Sequence, residues 1–401
     1  MNSTSLRREI RPVHATALVV GTIIGASIFV QPSEITGRVP SIPAIMGVWL
    51  AAGALTVIGA LVCAELSSIF SRSGGVYIYL REAFGPQIGF LWGWAMLWSM
   101  HSGIIAAIAV VFARYLDFFA PLGPWGIKAI AVLVIVVLSA VNYVGVKHGS
   151  TLQALFTLGK VAAIALIIVL GFTLGSRLPE HFVDSGTAAG NVSVRAFGTA
   201  LIAGLFAFGG WHMVTYNAEE TVEPTRTIPR ALIAGTLIVT VCYVLMNVVY
   251  MYVLPLDTVA SSTRIAADAA DAVIGSGGGA TMSIIVMFST FGALSGIILA
   301  GPRVYYAMAQ DGLLFRWIGA VHPVYRTPHR AIVAQAAVAS VLVLTGSFRV
   351  LFTRVIYTEW IFFGLMTIGL FVLRRRMELD RRYSIKGYPV LPGLFVLASL
   401  A

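Results

Sequence analysis

Ten apolar runs with short polar punctuation, near residues 13–36, 42–70, 87–119, 125–144, 151–174, 196–219, 229–254, 279–309, 330–346 and 349–373, make up most of the chain. Crossing a hydrocarbon core about 30 Å thick takes about 20 helical residues, and these runs are of that order. Inside lipid every backbone N–H and C=O must be satisfied within a helix or a closed barrel. The alternating pattern of barrel strands is absent, so the expected fold is an all-α polytopic membrane protein. Hydrophobic residues are 58% of the chain and charged ones 11%, against about 25% charged in soluble domains. The first run has no small-residue cleavage site followed by a soluble chain, and reads as a retained span. The last apolar run, 390–401, is roughly half a span, the expectation for a chain cut within an eleventh helix, with a twelfth missing.

The formal charge of +10 would suggest nucleic acid in a soluble protein, but its distribution points elsewhere. Arg7, Arg8, Arg11, Arg72, Arg81, Lys147, Arg226, Arg230, Arg316, Arg326, Arg330, Arg374 to Arg376, Arg381, Arg382 and Lys386 fall on one side if the spans alternate. That side carries about twice the basic residues of the other. The positive-inside rule then places the N-terminus in the cytoplasm, in the inner membrane of a cell, with no nucleic-acid partner. Cys63 and Cys242 both lie in apolar runs, so neither a structural disulfide nor a metal site is expected.

Two runs are interrupted. Gly25-Ala26-Ser27 breaks the first, within Gly21 to Phe29, and Gly209-Gly210 breaks the sixth, within Phe206 to His212. Glycine costs about 1 kcal/mol in a helix interior. Small residues also line packed membrane helices, and for one such motif packing is the stronger reading. Two interruptions five spans apart reverse that, because helices one and six of such a bundle run antiparallel. Broken helices at corresponding positions of inverted halves point to a midplane binding site.

With these motifs in place, the chain resembles the amino acid–polyamine–organocation superfamily, and within it the L-type amino acid transporters and their bacterial relatives. The resemblance rests on Gly21 to Phe29 with Pro32, Ala64-Glu65-Leu66, Ser73-Gly74-Gly75 through Phe84-Gly85, Phe206 to Trp211, Arg303 with Ala307 to Gly312, and Thr327-Pro328. It implies a LeuT-type five-plus-five inverted repeat with discontinuous helices one and six. The first repeat would occupy 1–174, an extracellular loop 175–195, the second repeat 196–375, and a cytoplasmic loop with the start of span eleven 376–401. An unwound first helix would offer the N–H groups of Gly25, Ala26 and Ser27 to a carboxylate at the positive end of its second half. The freed carbonyls of Ile23, Phe206 and Gly209 would accept from an α-ammonium. Phe206 resembles the family's aromatic lid over the substrate, and Trp211 a pocket wall. Ser27 stands where the family usually carries glycine, which favours small or medium substrate side chains.

Lys160 lies inside the fifth run, where an ammonium is expensive and needs a partner. It resembles the lysine that takes the place of a sodium ion in sodium-independent members, and so implies a bond to a freed carbonyl near Gly25. Glu359 in the tenth run and His101 in the third are the other mid-span ionisable groups. Glu359 is a candidate for proton coupling or side-chain recognition, with a satisfied interior acid as the alternative. Ser27, His101, Phe208 and Glu359 are candidates for the side-chain pocket. Glu65, Arg303 and Asp311 read as gate or loop-anchoring ion pairs, and Glu219 and Glu220, beside Glu223, as a solvated cytoplasmic cluster.

The implied function is sodium-independent transport of neutral L-amino acids by alternating access, as an exchanger or with protons as the coupling ion. A receptor that binds amino acid without flux is the alternative, and no large signalling domain supports it. No His-Glu-x-x-His or Gly-x-Ser-x-Gly motif supports a membrane enzyme, and no cofactor is expected. The loop 120–126 lacks the cysteine through which animal L-type carriers bond a heavy subunit, so no covalent partner is expected.

Overall fold

The computed structural model describes residues 6–25, 27–175, 192–262, 264–275, 277–345, 348–376 and 382–400, with side chains left out at 146–150, 348–354 and 356. Secondary structure among these residues is helical apart from one isolated bridge between Ile10 and Thr221. The first span is split into α1 (Pro12–Ile23), a 3-10 turn at Ser27–Phe29 and α2 (Gln31–Arg38). Next come α3 (Ile42–Ile69), α4 (Val76–Phe84), α5 (Pro86–Ala95), a π-helical turn at Met96–Met100 and α6 (His101–Asp117). Then follow α7 (Gly123–Val144), α8 (Val146–Leu174), α9 (Val194–Ala207), a 3-10 segment at Trp211–Glu220 and α10 (Pro224–Val253). Short α11 (Leu256–Ser261) and α12 (Ile265–Ile274) precede α13 (Gly278–Ala300), α14 (Pro302–Gln310), α15 (His329–Thr345), α16 (Phe348–Arg376) and α17 (Val390–Leu400).

Among the described residues nine helical segments have the length and apolarity to cross a membrane. The ninth apolar run of the sequence forms α15, whose 17 residues extend only about 25 Å.

The bundle is organised around α1, which packs against α8, α10, α13 and the Trp211–Glu220 segment. Lipid tails give no hydrophobic drive between helices, so close packing of small residues must do that work. Gly21 is the contact point with α8: a Cβ there would collide with Gln153 and Thr157. Thr157 Oγ1 donates to the Ala17 carbonyl at 2.9 Å and ties the same two helices.

Proline marks the helix entries. Pro12, Pro32, Pro86, Pro224 and Pro302 stand in the first turn of their helices, where a missing N–H costs nothing.

Candidate functional site

The helix of α1 ends where Ile24 N donates to Val20 O at 2.9 Å. Past that point the carbonyls of the last turn lose their helical donors. Lys160 supplies replacements: its Nζ, on a side chain only 1% exposed, donates to Gly21 O at 2.9 Å and Ile24 O at 2.7 Å. An ammonium has three donors and no acceptor, so it suits two bare carbonyls on one side of a break. The chain turns through Ser27–Phe29, Val30 N closes that turn on Ser27 O at 3.1 Å, and α2 begins. Gly25 is pressed toward α13, where a Cβ would stand 3.3 Å from that of Ala293. Ala26 lies outside the described residues.

The second break faces the first. Gly210 has φ +98°, in the left-handed region that favours glycine, and a Cβ there would lie 3.0 Å from Thr22 O. Thr22 Oγ1 reaches the Gly210 carbonyl at 3.1 Å. Tyr243 Oη, from α10, is 3.0 Å from Ile23 O and 3.2 Å from Ala207 O, so one phenol spans the ends of both broken helices. A buried phenol in an apolar run needs a polar partner, and that is the signal by which the sequence could have flagged Tyr243.

Between the breaks lies a cavity of about 710 Å³ whose wall includes Ile23, Gly25, Ser27, Phe206, Gly209, Trp211 and Glu359. At its mouth are the exposed Glu34, Arg38 and Arg114. Glu34 and Arg38 pair with each other, and Arg38 Nη1 also donates to Thr199 O at 2.8 Å. Glu359 is different: it is 7% exposed, and among the described residues its carboxyl group makes no hydrogen bond or ion pair.

Several sequence expectations are corrected. His101 is not on the wall; its Nε2 lies 2.8 Å from the carbonyl of Ile297, which is. The π-helical turn immediately before it sets where that ring points, a use to which such turns are often put. Phe208 is also off the wall, packed on Trp49 and Tyr243 with ring centroids 6.3 and 5.0 Å away, because Gly209 and Gly210 turn the chain just beyond it. The carbonyls of Ile23 and Phe206 are not free: Tyr243 donates to the first, and Gly209 N to the second at 2.9 Å. A carbonyl oxygen has two lone pairs, and Tyr243 takes one of those on Ile23. Glu220 is not solvated, since the 3-10 segment carries it under α14 to meet Arg303 with both side chains 0% exposed.

That ion pair belongs to a seal on the face of the bundle that bears the N-terminus. Arg303 Nε and Nη2 donate to Glu220 Oε2 and Oε1 at 2.7 and 2.9 Å. The Glu220 carbonyl accepts from Glu9 N and Ile10 N, both at 2.9 Å. Glu65, in the third helix, takes Arg374 Nε at 2.7 Å and Nη2 at 2.5 Å, with Ile385 N at 2.9 Å. Asp311 accepts from Tyr77 Oη at 2.8 Å and Arg72 Nη2 at 3.1 Å and pairs with Arg81. Burial pushes the Asp311 carboxyl up, but the Tyr77 and Arg72 bonds and the Arg81 charge outweigh it and hold the group below its ordinary 3.8. Glu65, Glu220 and Asp311 thus close one face, while the cavity mouth lies on the other.

The amino acid permease family profile matches residues 10–401. The chain belongs to that family. It is 33% identical to the human (Homo sapiens) b(0,+)-type amino acid transporter 1, over 99% of the chain and 82% of that protein. It is also 33% identical to the serine/threonine exchanger SteT of Bacillus subtilis, over 98% of the chain and 90% of that protein. Identity to the human large neutral amino acids transporter small subunit 2 is 30%, over 98% of the chain and 75% of that protein. Among solved structures, Mhp1, a nucleobase-cation-symport-1 family transporter in a closed conformation with bromovinylhydantoin bound, superimposes with a TM-score of 0.64. That match covers 100% of this chain and 92% of the other at 15% identity. The permease is therefore a multi-pass membrane transporter of amino acids with the LeuT-type fold, its first and sixth helices discontinuous.

Proposed function

We propose that this permease moves neutral L-amino acids of small to medium size across the cytoplasmic membrane without sodium. Its N-terminus lies in the cytoplasm, and it works by alternating access. The observation that carries this reading is that both helix breaks turn backbone toward one cavity whose cations, among the described residues, are Arg38 and Arg114 at its mouth. A zwitterion fits such a wall: its carboxylate at the N–H groups of Gly25, Ala26 and Ser27, its ammonium at the carbonyls of Ile23, Phe206 and Gly209. Phe206 closes over the substrate and Trp211 forms the floor. Lys160 supports independence from sodium, because its ammonium already uses the carbonyls of Gly21 and Ile24.

Exchange is the favoured mode, since the relative SteT is a serine/threonine exchanger, and proton symport through Glu359 is the second. His101 positions the α13 edge of the wall, and the Glu65 ion pair opens when the site turns inward. Purified protein in proteoliposomes should take up labelled serine or threonine when loaded with unlabelled amino acid, with or without a sodium gradient. Uptake that needs sodium, or that runs on a pH gradient with empty vesicles, overturns the exchanger reading. Binding with no flux under any gradient returns the receptor alternative.

A further inference from the structure

A second groove, about 600 Å³, lies between α7 and α15 and is remote from the site between the helix breaks. Its wall is mostly apolar, Val136, Ile332 and Val333 together with the small Ala140, Ala336 and Ala337. Ser139 and Ser340 bring hydroxyls to it, and Ser139 is the buried one. It lines the groove, its residue is 6% exposed, and its Oγ has no hydrogen-bond partner among the described residues. A buried hydroxyl left unpaired is costly, so its presence points to a polar atom brought by whatever fills the groove. Ser139 stands five residues before the end of α7, about 7.5 Å along the helix axis, near the depth of a lipid's ester linkages.

The groove ends, on the face bearing the N-terminus, at a basic and aromatic cluster. Tyr143 and Tyr325 line it there. His322 stacks on Tyr325 with centroids 4.5 Å apart and lies 5.2 Å from His329, and Tyr143 touches both histidines. Arg326 and Arg330 flank the cluster in sequence, and Arg330 is exposed. The groove also opens at the N-terminus of α15, the positive end of a helix. The chain on either side brings no acid of its own: the sequence has no Asp or Glu between Asp117 and Glu180 or between Asp311 and Glu359. Both walls of the groove come from those two acid-free stretches.

We infer that the α7–α15 groove binds one phospholipid with an anionic headgroup, its phosphate at Arg326, Arg330 and the histidines, an ester oxygen at Ser139 and an acyl chain along the alanines. Clustered basic residues beside a membrane surface select anionic lipids.

Native mass spectrometry of the full chain, released from nanodiscs of mixed phosphatidylglycerol and phosphatidylcholine, tests this. The wild type should retain one phosphatidylglycerol with at least about fivefold preference. Substituting Arg326→Gln with Arg330→Gln should bring the preference within about twofold while a lipid is still retained. Ala336→Phe, which fills the groove, should remove the lipid and leave amino acid binding intact. Equal retention of the two lipids by the wild type, or an unchanged preference in the double variant, overturns the inference. So does a dimer that Ala336→Phe abolishes, because a second copy would then be the occupant.

Discussion

Arg303 and Glu220 form a two-point ion pair, Nε to Oε2 at 2.7 Å and Nη2 to Oε1 at 2.9 Å, with neither side chain exposed. Two charges in such a place are tolerated only because each satisfies the other and Arg303 Nη1 also donates to Leu299 O at 2.6 Å. The Glu220 backbone at the same time holds residues 9 and 10. One residue therefore links the N-terminal segment, the sixth span and the eighth.

Removing one partner strands a buried charge, which costs about 3–5 kcal/mol. Glu220→Gln should lower the thermal unfolding midpoint of the purified permease and speed exchange of deuterium into the amides of Glu9 and Ile10. An unchanged midpoint with unchanged exchange would show that the pair is not what seals this face.

Lys160→Ala should leave the carbonyls of Gly21 and Ile24 without donors. Each unsatisfied buried group costs about 1–3 kcal/mol, enough to weaken amino acid binding by tenfold or more through a disordered first break. Arginine should not rescue, since its planar fork cannot copy a point ammonium. Ligand-induced thermal shifts on the two variants provide the measurement, and a wild-type shift in Lys160→Ala would refute the role.

Glu359→Gln keeps the shape of the cavity wall but removes an ionisable group. The pH profile of uptake in proteoliposomes should flatten if the carboxyl exchanges a proton during transport, and substrates with a side-chain hydroxyl or amide should change rank if it reads the side chain. A variant with wild-type profile and wild-type ranking would leave Glu359 as a structural acid.

The Asp311 carboxyl is depressed in the folded protein, so the pairing stabilises the fold where the carboxyl is ionised in both states, above its ordinary 3.8. That contribution is lost as pH falls through 3.8 and on through the folded value. Unfolding midpoints measured from pH 7 down to pH 3 should drop at the acid end. Asp311→Asn should start lower at neutral pH and lose less on acidification, and parallel curves would exclude the Asp311 contribution.

How much of this was legible beforehand differs by residue. The apolar runs bounded the spans to within a few residues because a bilayer dictates length and helicity locally. The two glycine interruptions were visible for the same local reason: weak helix formers inside long helices. Lys160 stood out because a lone ammonium in a span demands a partner.

What the sequence by itself determined, then, is an all-helical membrane bundle with two weakened helices and a few costly buried charges. Only the tertiary structure decided which groups meet. Nothing local says that Tyr243 bridges Ile23 and Ala207, that Glu220 turns inward to Arg303 instead of outward to water, or that Glu359 faces the cavity while His101 stands behind its wall. These contacts join residues far apart in sequence: 220 positions for Tyr243 with Ile23, 36 for Tyr243 with Ala207 and 83 for Glu220 with Arg303. They depend on how helices rotate and cross. That rotation is set by packing of small residues such as Gly21 and Gly210 against particular neighbours, and so belongs to the assembled bundle.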